Sequence, residues 1–361
     1  MANVFFTGFP GFLGVELLPR VLQRRPDDAA VCLVQPKFAE LARRRAAELE
    51  AAHPRLAGRI RLVEGDITRK DLALPDAAAI AADVAEIYHL AAIYDLSVPR
   101  EVGMKVNVEG TKNVLDLAER ARRLARVQYV STCYVSGSHA GVFREGDLEV
   151  GQRFNNHYEE TKYLAESDVR ARMRGGLPAT IYRPAITVGD STTGATQKYD
   201  GPYFIIQWVL RQAVVAVMPT VGDQSAEVNV VPRDFVVSAI AYLAGLEAAR
   251  GKTYQLADPR PLRVREMLDE ISRATGRRLL KVPLPVALAK GAIRHVPGVH
   301  ALMRIPADAI DYFVQPTRYD TLNTVTDLAG SGIACPPFTS YVDRLVAFVR
   351  AHPEFGSAAM A

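Results

Sequence analysis

Short apolar runs alternate with longer amphipathic stretches through the first half of the chain. Residues 3–7 (NVFFT), 30–35 (AVCLVQ), 59–64 (RIRLVE), 84–89 (VAEIYH) and 126–131 (RVQYVS) have the length and side-chain content of buried strands. Residues 11–24, 38–52 and 101–123, which lie between them, read as helices. Near-continuous apolar strands separated by helices imply a parallel sheet covered on both faces. Right-handed crossovers then give a doubly wound α/β fold. The second half is less regular. Residues 157–174 read as a helix, and 179–183 as a strand stopped by Pro184. Residues 189–202, rich in Gly, Thr, Ser and Asp, read as a loop. A helix at 232–248 and a strand at 253–257 return to the sheet, and helices with proline-rich joints follow from Asp258.

Composition narrows the class. The chain has 361 residues, 49% apolar and 23% charged, as a globular enzyme has and a disordered or disulfide-stapled chain does not. Cys32, Cys133 and Cys335 form no CxxC pair, so neither a disulfide framework nor a zinc site is expected, and a cytoplasmic, reducing location fits. His139, His157 and His352 have no metal-ligand spacing, and no metal is expected. A net charge of +4 is too small to imply nucleic acid. The most apolar later stretch, 203–218, contains Gln207, Arg211 and Gln212 and is too short to cross a bilayer. No targeting segment is read at the N-terminus, where three glycines interrupt the apolar run.

Those glycines carry chemistry. Residues 7–14 read Thr7-Gly8-Phe9-Pro10-Gly11-Phe12-Leu13-Gly14, directly after the first strand and at the start of a helix. Such a turn lets backbone approach a pyrophosphate, with the helix N-terminus supplying N–H groups and positive dipole. A dinucleotide site specific for NAD usually has an acidic residue after the second strand. Here Gln35, Pro36 and Lys37 stand there, followed by Arg43, Arg44 and Arg45. Lys37, nearest the strand end, suits a ribose 2′-phosphate, so NADP is expected over NAD; the arginines read equally as a solvated helix face.

Tyr158 and Lys162 are four residues apart and share one face of their helix. A nearby ammonium stabilises a phenolate, so this pair is expected to lower the tyrosine pKa and move a proton at a carbonyl oxygen. The fifth strand ends in Ser131-Thr132-Cys133, at the sheet edge where such folds bind ligands. Pro184 and Ile186, after the next strand, are placed to wall a nicotinamide ring.

TGFPGFLG, GDIT (65–68), HLAA (89–92), NVEGT (107–111), VSTCYVSG (130–137), YEETK (158–162) and YRP (182–184) occur in order over almost two hundred residues. Together they resemble an extended short-chain dehydrogenase/reductase, with a Rossmann sheet. The resemblance implies that Tyr158 is the catalytic acid/base, Lys162 holds the nicotinamide ribose, and Thr132 hydrogen-bonds the substrate oxygen. It also implies cofactor contacts from Thr7, Gly8, Gly11, Phe12, Leu13, Gly14, Asp66, Ile67 and Ala91, with Asn107 structural or part of a proton relay. GFLG followed by STCYVSG and YxxTKYLAE is most similar to the fatty acyl and thioester reductases, of the male-sterility NAD-binding type. That branch implies NADPH-dependent reduction of a CoA- or carrier-linked acyl thioester to aldehyde or alcohol. A ketone or aldehyde reductase, or a hydroxy-compound dehydrogenase, would use the same residues. A nucleotide-sugar epimerase or a non-enzymatic NADP sensor fits the scaffold less well. Homodimerisation through the helices after the fourth and fifth strands is usual in the resembled family.

The expected partition is a dinucleotide-binding domain from residues 1–188 and 232–257, with a substrate-binding cap from 189–231 and 258–361 that leaves no room for a carrier domain. Cys133 reads as packing rather than a nucleophile. Tyr199, Tyr203, Phe204 and Trp208 fit an acyl pocket or core. The apolar stretches 284–293 and 302–313 fit core, a lid or a membrane-facing surface, and Arg260, Arg263 and Arg265 a phosphate contact or a solvated face.

Overall fold

The computed structural model describes residues 3–95, 97–288, 291 and 307–356. Seven parallel strands form the main sheet: β1 (Asn3–Thr7), β2 (Ala29–Val34), β3 (Ile60–Glu64), β4 (Val84–His89), β5 (Arg126–Val130), β6 (Ala179–Pro184) and β7 (Thr253–Leu256). Their order is β7-β6-β5-β4-β1-β2-β3. The order reverses between β1 and β4, and this opens a crevice at the carboxyl ends of those strands.

The helices are α1 (Gly14–Arg24), α2 (Ala39–Ala52), α3 (Ala77–Asp83), α4 (Gly110–Arg120), α5 (His157–Arg174), α6 (Pro202–Leu210), α7 (Arg233–Leu243), α8 (Val264–Thr275), α9 (Leu322–Leu328) and α10 (Val342–Ala351). Leu17 and Leu18 of α1 and Phe235 and Ile240 of α7 fill one face of the sheet. Val114 and Leu117 of α4 and Ala165 and Val169 of α5 fill the other. A third core joins Ile205 of α6, Leu268 of α8 and Leu345 of α10. The helix α9, drawn from the segment assigned by sequence to the cap, packs on β7 and α7 at the main sheet.

The strand pattern of the first half is observed to within a few residues, and two helices of the chain differ informatively from their sequence reading. The stretch read as one helix over 101–123 is an α turn (Arg100–Gly103), a π turn (Met104–Glu109) and α4. The buried Asn107 lies in the π turn, a local widening found often where a side chain must be re-aimed. The helix read at 232–248 stops at Leu243, and Gly245 separates it from a short 3₁₀ turn at Glu247–Ala249. Three small parallel pairings were not anticipated: Gly141–Phe143 with Thr317–Tyr319, Ile186–Val188 with Val230–Pro232, and Val215–Val221 with Arg278–Leu284. Of the stretches 284–293 and 302–313, residues 289–290, 292–293 and 302–306 lie outside the described residues. Among the described residues, no helix is long and apolar enough to cross a membrane.

Candidate active site

A cleft of about 990 Å³ runs along the carboxyl ends of the central strands. It brings together Thr7, Gly8, Gly11, Phe12, Leu13, Gly14, Lys37, Ile67, Ala91, Thr132, Tyr158, Lys162, Pro184 and Ile186. Asp66 is not on its wall. Its carboxylate accepts from the Thr68 N–H at 2.9 Å and from Gln35 Nε2 at 3.3 Å, bracing the turn that presents Ile67. Burial opposes the charge there, but these hydrogen bonds outweigh it and hold the carboxyl below its usual range.

The glycine turn has steric reasons at two positions. Gly8 has φ +90°, and a Cβ on it would sit 2.8 Å from Leu90 Cβ and 2.9 Å from the Ala91 nitrogen. Only glycine therefore lets the end of β1 abut the loop after β4. A Cβ on Gly14 would lie 2.5 Å from the Gly8 carbonyl oxygen, so the start of α1 can press on the turn only without a side chain. The Thr7 hydroxyl bonds His89 Nδ1 at 2.8 Å and accepts from the Ala91 N–H at 3.2 Å, while His89 Nε2 meets the Thr111 hydroxyl at 3.0 Å. Burial, with the Lys162 charge, pushes His89 down to about 3, so this buried imidazole is neutral and ties the ends of β1 and β4 to α4.

At the second strand end, Lys37 lines the cleft and its Nζ lies 4.9 Å over the Phe38 ring. Arg43 and Arg45 pair with Glu40 and Glu48 on the exposed face of α2. None of Arg43, Arg44 and Arg45 lines the cleft, so the solvated-face reading holds for this run. Arg260, Arg263 and Arg265 are also exposed and off the cleft wall.

Thr132 follows β5, and its Oγ1 accepts from the Tyr134 N–H at 3.3 Å. The sequence expectation for the tyrosine needs correction. Burial raises Tyr158 to about 12, with a hydrogen bond to Thr132 acting in the opposite direction. Lys162 does not lower it here, because its Nζ is turned to the Val130 carbonyl at 2.9 Å and the Tyr129 hydroxyl at 3.2 Å. The lysine is itself buried, which brings it down to about 8 although the Glu166 charge acts the other way. Burial thus makes Tyr158 a weaker acid than a free phenol in the absence of cofactor and substrate.

Asn107 is a clamp. Its Oδ1 accepts from the Ile93 N–H at 2.9 Å, and its Nδ2 donates to the Ile93 carbonyl and the Thr161 hydroxyl at 3.0 Å each. Cys133 is buried, its Sγ donates to the Arg183 carbonyl at 3.0 Å, and burial pushes its thiol up. Tyr199 and Tyr203 are core, bonded to the His352 carbonyl and the Gly189 N–H respectively, while Phe204 lines the cleft.

Sequence reasoning missed several wall residues. Lys198 pairs with Asp200 and lies 3.7 Å over the Tyr94 ring, and all three line the cleft. Val228 and Met267 continue an apolar wall from Ile186 and Phe204. Tyr312 and Phe313 reach the same cleft from the C-terminal segment. These two lie in the apolar stretch 302–313 that fitted core, a lid or a membrane-facing surface, and the chain path brings them to the cleft wall.

The profile of the male sterility protein family matches residues 6–240. The chain belongs to that family. Its members of the extended short-chain type are NAD(P)-dependent oxidoreductases, and the seven-stranded sheet with a glycine turn at its switch point is their fold. One component of the linear gramicidin synthase of Brevibacillus parabrevis is 33% identical over 264 residues, covering 70% of this chain and 5% of that protein. Glycine betaine reductase ATRR of Emericella nidulans is 29% identical over 285 residues, covering 74% of this chain and 22% of its own length. The chain thus spans a small part of these multidomain-sized relatives. Among solved structures, the terminal R domain from the myxalamid PKS-NRPS biosynthetic pathway superposes with a TM-score of 0.82 at 29% identity, covering 98% of this chain and 91% of that one. The cleft residues fit a nicotinamide dinucleotide: a glycine turn at a helix N-terminus, a cation at the second strand end, and hydroxyl donors at the fifth.

Proposed function

We propose that this family member is an NADPH-dependent reductase of acyl thioesters, carried on CoA or a carrier arm, that releases an aldehyde or alcohol. The observation that carries the reading is that Thr132, Tyr158 and Lys162 line the same cleft as the glycine turn. Relatives named as a terminal R domain and as a reductase support the carrier-linked substrate.

The turn from Gly8 to Gly14 would hold the pyrophosphate, Lys37 the 2′-phosphate, and Pro184 and Ile186 the nicotinamide side. NADPH, when bound, supplies a hydride. Thr132 and Tyr158 hold the carbonyl oxygen, and Tyr158 gives that oxygen its proton. A thioester so reduced becomes a hemithioacetal, which expels the thiol and leaves an aldehyde. Lys162 keeps the end of β5 in place through the Val130 carbonyl and, lining the cleft, would meet the nicotinamide ribose. The walls of Ile186, Phe204, Val228 and Met267 suit an apolar acyl chain. Segments 189–231 and much of 258–361 then serve as the substrate cap.

Steady-state kinetics with NADPH and NADH test the cofactor reading. NADPH is expected to be preferred, and Lys37→Ala to erode that preference by about tenfold. Equal use of the two by the wild type would remove the role given to Lys37. Tyr158→Phe is expected to lower turnover by about 10²–10⁴-fold while cofactor binding, read by NADPH fluorescence, is kept. Wild-type turnover in that variant would refute the acid assignment.

A further inference from the structure

The residue after Tyr158 is unusual in its setting. Glu159 is fully buried, yet among the described residues no lysine or arginine is paired with it. Its carboxylate accepts from the Asn155 N–H at 2.8 Å, from Asn155 Nδ2 at 3.2 Å and from the Tyr312 hydroxyl at 2.9 Å. The position is the third of α5, where a glutamate commonly reaches back to cap the helix while its far side faces water. Asn156 caps the same helix, its Oδ1 accepting from the Glu159 N–H at 3.0 Å. Helix capping explains the Asn155 bonds, but it does not require a tyrosine from 153 residues along the chain to cover the carboxylate.

Tyr312 is held twice. It donates to Glu159 and accepts from Asn156 Nδ2 at 3.0 Å. Its ring lies edge-on to Tyr134, with centroids 4.4 Å apart at 66°. Both rings line the cleft, and Tyr134 stands two residues after Thr132. The rest of the segment is fastened to the same loop: Gln315 Nε2 donates to the Gly137 carbonyl at 2.8 Å, and Thr317–Tyr319 pairs with Gly141–Phe143. The C-terminal segment therefore sets one aromatic ring of the cleft against Tyr134, two residues after Thr132, and against Glu159, the residue after Tyr158.

We propose that Tyr312 is a specificity-determining residue, whose ring, locked by Asn156 and Glu159 onto the cap of the catalytic helix, limits the bulk of the group attached to the reacting carbonyl carbon. Glu159 is then a positioning residue that acts through Tyr312. The ligand class is an uncharged acyl or aldehyde substrate with an unbranched α-carbon. The proposal rests on the reductase reading. Burial raises Glu159 to about 7, with the Asp311 charge adding to it, as expected where the donors are neutral.

The test compares kcat/KM for matched straight-chain and α-branched aldehydes with NADPH. Tyr312→Ala is expected to raise the branched-to-straight ratio at least tenfold, and Tyr312→Phe, which keeps the ring and loses both hydrogen bonds, three- to fivefold. Glu159→Gln, whose carbonyl can still accept from Tyr312, should keep the wild-type ratio, while Glu159→Ala should move it as Tyr312→Phe does. A uniform fall for all substrates, with the ratio unchanged in the folded Tyr312→Phe protein, would mean a structural role only and overturn the proposal. A wild type that turns over neither aldehydes nor thioesters would instead refute the reductase reading, and this proposal with it.

Discussion

Two glutamates about two turns apart on α5 are both fully buried, and they have been treated in opposite ways. Glu166 faces Arg183 at 2.6 Å and Arg170 at 2.9 Å and accepts from the Ser131 hydroxyl at 2.6 Å. Burial alone would raise its pKa, but the Arg183 charge and hydrogen bonds outweigh it and hold the carboxyl below the usual range. Glu159 has only neutral donors, and burial wins, bringing it up to about 7. The same side chain on the same helix is thus a fixed anion beneath β5 and β6 at one site, and a group that takes a proton near neutrality at the other. A countercharge decides between them.

The largest effect is expected at the paired site. Glu166→Gln leaves the buried Arg183 without its countercharge and should cost about 3–5 kcal/mol in urea denaturation at pH 7. A loss under about 1 kcal/mol would mean that the ion pair does not hold the two elements together. The second prediction uses the opposite signs of the two sites. Glu159 has a folded pKa above its unfolded value of 4.5, so its contribution is complete below that pH and is lost as pH rises toward about 7. The span corresponds to about 3 kcal/mol at most. Glu166 runs the other way: its contribution is present above its unfolded pKa and is lost as pH falls through the lower folded value. Stability measured between pH 4.5 and 7.5 should therefore decline less steeply in Glu159→Gln than in the wild type. Parallel pH curves for the two proteins would show that Glu159 does not titrate in this window.

This contrast was invisible in HYEETKYLAE. The spacing of Tyr158 and Lys162 is local, and so is the end of strand five at Thr132, so their meeting in one cleft could be read from periodicity. The glycine turn was legible for the same reason, because its steric demand lies within one βα junction. Nothing local in the sequence separates Glu159 from Glu166. Glu166 is buried by Arg183 on a neighbouring strand, and Glu159 by Tyr312 from a distant segment. The aromatic wall, the Lys198 contact with the Tyr94 ring and the small parallel pairings likewise depend on contacts between segments far apart in sequence. The lysine–tyrosine pairing shows the reverse limit. Helix spacing put the two side chains on one face, but it could not show that the ammonium would turn to the Val130 carbonyl instead.

The proposed thioester reduction by Tyr158 and Thr132 couples hydride transfer to loss of a thiol. The most direct measurement follows NADPH oxidation and free-thiol release together, with a series of acyl-CoA and acyl-pantetheine thioesters, for the wild type and Tyr158→Phe. One thiol is predicted per one or two NADPH consumed in the wild type, with both signals lost in the variant. NADPH consumption on aldehydes with no thiol released from any thioester would contradict the account and leave a carbonyl reductase in its place.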